Sequence, residues 1–161
     1  ECKMMSDRKG GGKPLLLKLS PDNSDDEIIA SAQMALRKGI DGFVATNTTL
    51  HRPVPRNATS RGVFAESGGL SGRPLQERSN EVIRLLYEEA QSTVPIVGVG
   101  GIDSVDTAWQ AVSSGASLLQ LYSALVFNGP SVVSCIVKGL RKRVKENGFL
   151  GIEEAVGLDI T

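Results

Sequence analysis

A glycine-rich segment, Gly98-Val99-Gly100-Gly101, follows one short apolar run and precedes an amphipathic stretch. Glycines between a strand and a helix let the backbone approach a ligand closely, and the N–H groups beyond them can bind an anion. The next apolar run ends in Tyr122-Ser123, which adds two hydroxyl groups. Together the two segments predict a phosphate site, and a structural turn is the alternative. A dinucleotide site is poorly supported because the full G-x-G-x-x-G pattern is incomplete.

Two further polar features interrupt or follow apolar runs. Lys18 lies in a run that is otherwise leucine, Leu15–Leu19, and a lone lysine in a buried strand is costly unless it meets an anion. An edge strand with Lys18 in solvent is an equally good interpretation. Asn47-Thr48-Thr49 supplies neutral hydrogen-bonding groups after the next run. This cluster suits a planar polar ligand, although an Asx turn would also explain it.

Composition argues against several classes of function. The 161 residues include 18 Lys and Arg against 18 Asp and Glu, whereas a nucleic-acid surface needs a basic surplus. No apolar run approaches the ~20 residues of a membrane-spanning helix. The single histidine, His51, lies in a Pro- and Arg-rich loop, where a surface position is expected. No metal site is predicted, since Cys2 and Cys135 lie far apart.

Four strand–helix units are predicted in succession. Buried strands are expected at residues 15–19, 41–46, 95–99 and 117–122, and helices are expected to begin near Ser24, Pro74, Ser104 and Pro130. The buried face of the last helix is predicted to consist of Val133, Val137, Leu140 and Val144.

This alternation requires a parallel sheet with right-handed crossovers. A closed eight-stranded barrel and an open doubly wound sheet both satisfy it. A complete barrel typically needs ~250 residues, so the barrel interpretation makes this chain one half of a barrel. Residues 1–13 end in Gly10-Gly11-Gly12-Lys13 and are predicted to be a flexible connector or the remnant of an insertion, whereas residues 14–161 form the α/β domain.

Six motifs in order carry a family resemblance. They are LLLKLSPD, GIDGFVATNTT, SGGLSGRPL, VPIVGVGGI, GASLLQLYSALVFNGP and GFLGIEEAVG. From about Pro14 to Gly157 the chain resembles the C-terminal half of dihydroorotate dehydrogenase, and LYSALVFNG with the closing motif resembles the class 2, membrane-associated, quinone-linked enzymes. The resemblance implies an α/β fold that is the second half, about four βα units, of an FMN-binding (β/α)8 TIM barrel.

The resemblance also implies an activity. Class 2 enzymes oxidise dihydroorotate to orotate in de novo pyrimidine biosynthesis, with hydride transfer to FMN and electron transfer to a ubiquinone-type quinone. The implied partner is the N-terminal half of the same enzyme, which carries the serine base, further flavin contacts and the membrane-associated helical segment. The implied location is the mitochondrial inner membrane, or the bacterial inner membrane in a prokaryote. The chain alone is expected to be inactive.

The functional positions of the family map onto ten residues. Lys18 matches the lysine that contacts the isoalloxazine ring, where its charge would stabilise reduced flavin. Asn47 and Thr48 match the pair that hydrogen-bonds the pyrimidine and its carboxylate. The remaining flavin contacts that the resemblance implies are Thr46, Ser71, Gly72, Gly100, Gly101, Tyr122 and Ser123.

Two other functions are compatible with the residues alone. A phosphate-binding α/β barrel enzyme without flavin needs only Gly98–Gly101 and Ser123, and a flavin absorption band would distinguish it from an FMN enzyme. A non-catalytic α/β module, in which the glycine loop is structural, predicts a soluble folded monomer. The FMN half-barrel instead predicts a chain that exposes two barrel edges and aggregates unless its partner is present. Such a chain would be the second piece of a longer polypeptide, separated for example by proteolysis within residues 1–13.

Overall fold

The computed structural model describes residues 12–54, 62 and 64–160, so the connector predicted over residues 1–13 lies almost entirely outside the described residues. Four parallel strands form one sheet in the order β1-β2-β3-β4. The strands are β1 (Leu16–Leu19), β2 (Gly42–Ala45), β3 (Ile96–Val99) and β4 (Leu118–Gln120). Each strand pairs with the next one along the chain, as the predicted strand–helix succession requires.

Five helices connect or follow the strands in the described ranges. They are α1 (Asp25–Arg37), α2 (Gln76–Ala90), α3 (Val105–Ser113), α4 (Ser123–Asn128) and α5 (Ser131–Glu146). A 3-10 turn, Arg73–Leu75, contains Pro74, so the helix predicted to begin at Pro74 begins at Gln76 instead. Helix α4 follows β4 where the sequence pattern predicts no helix.

Side-chain caps fix the beginnings of α1 and α3. The Ser24 Oγ accepts the Glu27 N–H at 3.3 Å, and the Glu27 carboxylate accepts the Ser24 N–H at 2.9 Å. The Ser24 N–H and the Ser24 hydroxyl, which both donate to the Glu27 carboxylate, hold the pKa of Glu27 below its ordinary value. Ser104 and Thr107 form the same capping box on α3. Because both helices begin near loops that leave strand ends, the caps also anchor those loops.

The two faces of the sheet have different surroundings. Leu19, Phe43 and Ile96 are buried in the core that the sheet forms with the helices. The opposite face, which we call the inner face, carries Lys18, Val44, Val97 and Leu118 in one row, because parallel partners in register point to the same side. Leu118 is 59% exposed, so the inner face is partly open in the described part of the chain.

The buried face of α5 differs from the prediction. Val133 and Val137 are 45% and 49% exposed, so these two predicted positions are wrong, whereas the other two do contribute to packing. The buried side chains are Val132, Ile136 and Val144. A Cβ atom on Gly139 would lie 2.2 Å from a methyl carbon of Val105. Because residue 139 is glycine, α5 can approach α3 closely. The face of α5 that makes this approach lies next to the face that was predicted to be buried.

Candidate functional site

A cleft of about 610 Å³ lies at the carboxyl ends of the four strands. Ligand sites in parallel α/β folds lie at this edge, and small-molecule sites span roughly 300–1,000 Å³. The ten residues predicted as site residues all line it; they are Lys18, Thr46, Asn47, Thr48, Ser71, Gly72, Gly100, Gly101, Tyr122 and Ser123. The fold therefore brings together residues that are more than a hundred positions apart in the sequence.

The structure supports the edge-strand interpretation of Lys18 and also places this residue at the cleft. Strand β1 is an edge strand of the sheet, and Lys18 is exposed on its inner face, where it also lines the cleft. Thr46, which follows β2, is buried. Its N–H donates to the Val99 carbonyl at 2.7 Å, and its Oγ1 donates to the Asn47 carbonyl at 2.9 Å. A cation and a fixed hydroxyl group therefore border one end of the cleft.

Asn47 and Thr48 present exposed side chains on a fixed backbone. The Asn47 N–H donates to the Leu19 carbonyl at 2.8 Å. On the other side, Thr49 is buried and exchanges two backbone hydrogen bonds with Leu70, at 3.1 and 2.7 Å. The dipeptide therefore offers an amide and a hydroxyl group to the cleft from a backbone that is held at both ends.

Hydroxyl groups and glycines gather at the other end of the cleft. The Ser71 and Ser123 Oγ atoms lie 2.7 Å apart in a hydrogen bond. Gly72 and Gly101 have φ angles of +83° and +69°, which favour glycine. A Cβ atom on Gly101 would also lie 2.4 Å from the Gln76 Cβ atom. Neutral hydroxyl groups and closely approaching backbone are typical of sites for phosphate groups.

The structure shows an ion pair beside the glycines that the sequence does not predict. The Arg73 Nε atom donates to the Asp103 Oδ2 atom at 2.5 Å, and this hydrogen bond and charge raise the pKa of Arg73. The buried Asp103 Oδ1 atom has no hydrogen-bond partner among the described residues. Both residues line the cleft, as does Gln120. Arg73 lies in the motif SGGLSGRPL and Asp103 directly follows VPIVGVGGI, but only the folded loops show that they pair.

The remaining sequence predictions concern His51, metals and membranes. The His51 side chain is 85% exposed, which confirms the predicted surface position. Across the described ranges, we find no cluster of three or more His, Cys, Asp or Glu side chains that could hold a metal ion. None of the helices in those ranges combines the length and apolar character needed to cross a bilayer.

Comparison with known families decides the relationship that the motifs suggest. The family model described as dihydroorotate dehydrogenase matches residues 2–144, which is most of the chain. This chain belongs to the dihydroorotate dehydrogenase family. The family resemblance is therefore confirmed.

Two bacterial relatives in the family are named dihydroorotate dehydrogenase (quinone). The Trichodesmium erythraeum protein is 41% identical over 150 residues, which cover 91% of this chain and 40% of that protein. The Synechococcus elongatus protein is 44% identical over 153 residues, which cover 90% of this chain and 39% of that protein. Both names agree with the predicted quinone-linked class. The chain spans about 40% of the length of these relatives.

Solved structures of the family share the fold. A ligand-free DHODH from Eimeria tenella superposes with a TM-score of 0.84 at 33% identity, covering 93% of this chain and 41% of that one. The Eimeria tenella DHODH in complex with ferulenol gives a TM-score of 0.83 at 33% identity, and the match covers 94% of this chain and 40% of that one. The predicted fold, four βα units that form part of a TIM barrel, is thereby confirmed.

Proposed function

We propose that this chain forms the flavin-binding half of a quinone-linked dihydroorotate dehydrogenase. One observation carries the proposal: residues predicted from four successive βα units line a single cleft. The reaction is the oxidation of dihydroorotate to orotate in pyrimidine biosynthesis, and the cofactor is FMN.

The residues of the cleft suit the two ends of FMN. Lys18 places a cation where the ring would lie, and the apolar side chains of Val99 and Ile102 suit a planar ring. At the far end, the hydroxyl groups of Ser71 and Ser123 suit a phosphate group and the end of the ribityl chain.

The orphaned carboxylate oxygen of Asp103 also fits this cofactor. Its Oδ1 atom is buried without a donor in the described part of the chain, and a buried acceptor without a donor is costly. A ribityl hydroxyl group is a donor of the required kind. The donor set around the cleft therefore matches a ligand that combines hydroxyl groups, a phosphate group and an apolar ring.

Each step of the proposed reaction can be assigned to a bound group, to a residue of this chain or to the N-terminal half. Bound FMN would accept a hydride from dihydroorotate and pass the electrons to a quinone. Lys18 would stabilise negative charge that forms on the bound ring, because a cation aimed at a developing charge acts strongly on it where water is excluded. Asn47 and Thr48 hold the pyrimidine and its carboxylate in position. The base that takes the substrate proton belongs to the N-terminal half, so the chain does not complete the reaction alone.

The N-terminal half is also the proposed structural partner. It would pair with the outer edges of β1 and β4, which no strand of the described residues covers, and it would cover the inner face, where Leu118 is 59% exposed. We place the quinone site and the membrane contact in this partner, at the bacterial or mitochondrial inner membrane. We expect no nucleic-acid partner, because the chain has no surplus of basic residues.

The proposal is tested in a complete enzyme, made by joining this chain to the remaining N-terminal part of the Synechococcus elongatus relative. We expect dihydroorotate-dependent reduction of a soluble ubiquinone analogue. A folded complete enzyme that binds FMN but does not oxidise dihydroorotate would overturn the proposed substrate. A folded but colourless one that binds inorganic phosphate would favour the barrel enzyme without flavin.

A further inference from the structure

Asp22 links the loop after β1 to the loop after β2. One carboxylate oxygen, Oδ1, accepts a hydrogen bond from the Thr49 Oγ1 hydroxyl, and the other, Oδ2, accepts the Leu50 N–H at 2.8 Å. The Asp22 side chain is 22% exposed. Asp22 and Thr49 line a second groove and do not line the cleft, so any effect of Asp22 on the cleft must pass through other residues.

The charge state of Asp22 suits this double contact. Burial alone would raise the pKa of Asp22, but the hydrogen bonds from Thr49 and Leu50 and the positive charges of His51 and Arg52 hold that pKa below its ordinary value. Asp22 is therefore ionised at neutral pH, when both its oxygens accept hydrogen bonds.

Thr49 is held on several sides at once. Besides the bond to Asp22, its Oγ1 accepts the His51 N–H at 3.0 Å, and its carbonyl accepts Arg52 Nη1 at 3.0 Å. Its backbone also bridges to Leu70. Thr49 is only 7% exposed, so this anchor lies behind the exposed dipeptide that precedes it.

The opposite strand of the same loop packs directly on Thr48. A Cβ atom on Gly69 would lie 1.8 Å from the Thr48 Oγ1 atom. Glycine at position 69 therefore leaves the room that Thr48 occupies, and the adjacent bridge between Thr49 and Leu70 joins the two segments at this point. Loss of Asp22 would leave the Thr49 hydroxyl and the Leu50 N–H without their shared acceptor, directly after the dipeptide that faces the cleft.

We propose that Asp22 is a positioning residue for substrate recognition, which acts through Thr49 to orient Asn47 and Thr48 toward a planar pyrimidine carboxylate. This inference rests on the proposed function. A positioning residue of this kind affects the affinity for the pyrimidine and leaves the distant phosphate end of the flavin site intact.

The test compares variants of the complete enzyme. Asp22→Asn keeps the shape but cannot accept both hydrogen bonds, and Thr49→Val removes the hydroxyl group. We expect each to raise the KM for dihydroorotate and the Kd for orotate by about tenfold, with kcat within about twofold and FMN content unchanged. Thr49→Ser retains the hydroxyl group and should restore KM to within about twofold. Asp26→Asn, an exposed carboxylate in the first turn of α1, is the matched control.

Each alternative outcome has a distinct meaning. If Asp22→Asn and Thr49→Val show the KM of the Asp26→Asn control, Asp22 does not position the dipeptide. If they lower thermal stability and FMN content while the KM of the flavin-loaded fraction is unchanged, Asp22 is a structural residue and the inference is wrong. If the parent complete enzyme folds but does not oxidise dihydroorotate, the proposed function fails, and the inference fails with it.

Discussion

At the scale of single residues, the position of Lys18 on strand β1 allows its proposed role at the flavin to be tested. It is exposed on the inner face of an edge strand, so its removal leaves no cavity in the core. We expect Lys18→Ala in the complete enzyme to slow flavin reduction roughly 100-fold, the usual scale for losing one electrostatic stabiliser. Folding should be affected much less than flavin reduction, because Lys18 takes no part in the core that the sheet forms with the helices.

Rapid-mixing measurements of flavin bleaching by dihydroorotate, together with thermal melts, give both quantities for Lys18→Ala. Lys138→Ala, which removes an exposed lysine from α5, is the control for the loss of charge. Reduction at the parent rate would end the assignment of Lys18 to the flavin.

Asn47 provides the matching prediction for the substrate. Its side chain is exposed in the cleft while its backbone N–H is bound to the Leu19 carbonyl, so Asn47→Ala removes the amide group without disturbing the loop. We expect the KM for dihydroorotate to rise roughly 10- to 100-fold. FMN content, measured by absorbance after denaturation, should stay unchanged. Loss of FMN would place Asn47 at the flavin instead of the substrate.

The sequence predicts single site residues better than their pairings. The ten predicted positions line one cleft because each lies at or near the carboxyl end of a strand, or in a motif that follows it. The ion pair of Arg73 and Asp103 joins two loops thirty residues apart, and no periodicity encodes such a contact. The bond between Asp22 and Thr49 escapes sequence analysis for the same reason.

At the scale of elements, the loop between β3 and α3 depends on glycine at a defined place. Gly101 has a φ of +69°, and an added Cβ atom would lie 2.8 Å from the Gln76 Cα atom, so α2 itself would have to shift. Gly39 has nearly the same φ, +72°, with nothing within 4 Å of the added atom. A comparison of alanine substitutions at these two positions therefore separates the cost of backbone strain from the cost of steric conflict.

We expect Gly39→Ala to cost about 1–2 kcal/mol of unfolding free energy, from the left-handed backbone alone. Gly101→Ala should cost at least about 1 kcal/mol more, because overpacking adds to that strain, and it should lower FMN content. Denaturant unfolding of the complete enzyme measures the unfolding free energy, and visible absorbance measures the FMN content. Equal costs for the two variants, with full FMN content, would contradict the packing of this loop against α2.

The sequence predicts the boundaries of an element to within a few residues where the hydrophobic pattern agrees with the flanking prolines or helix-capping residues. Pro14 and Pro21 bracket β1, and the capping box at Ser24 begins α1. Helix α4 was missed because six residues are too few to show a helical period. The face of α5 was misjudged because Gly139, which has no apolar side chain, decides which side approaches α3.

At the scale of the whole molecule, the inner face predicts how this chain assembles with an N-terminal half. Leu118 lies on that face in register with Val97, at the free edge of the sheet. Barrel interiors are packed in layers, so a charge at this position would be buried in the assembled barrel. When the two halves are produced as separate chains, we expect Leu118→Asp to abolish their co-purification.

Leu150→Asp makes the same change at a side chain that is 97% exposed, and it should leave co-purification unaffected. Assembly that tolerates Leu118→Asp would mean that the inner face is not the surface that the N-terminal half covers. The partner would then have to contact the helices instead.

The central claim, that this chain supplies the flavin site of a dihydroorotate dehydrogenase, is tested most directly by the visible absorption spectrum of the purified complete enzyme. We predict a flavin band that corresponds to about one FMN per enzyme and that bleaches when dihydroorotate is added. A folded, colourless protein that takes up no FMN would contradict the claim.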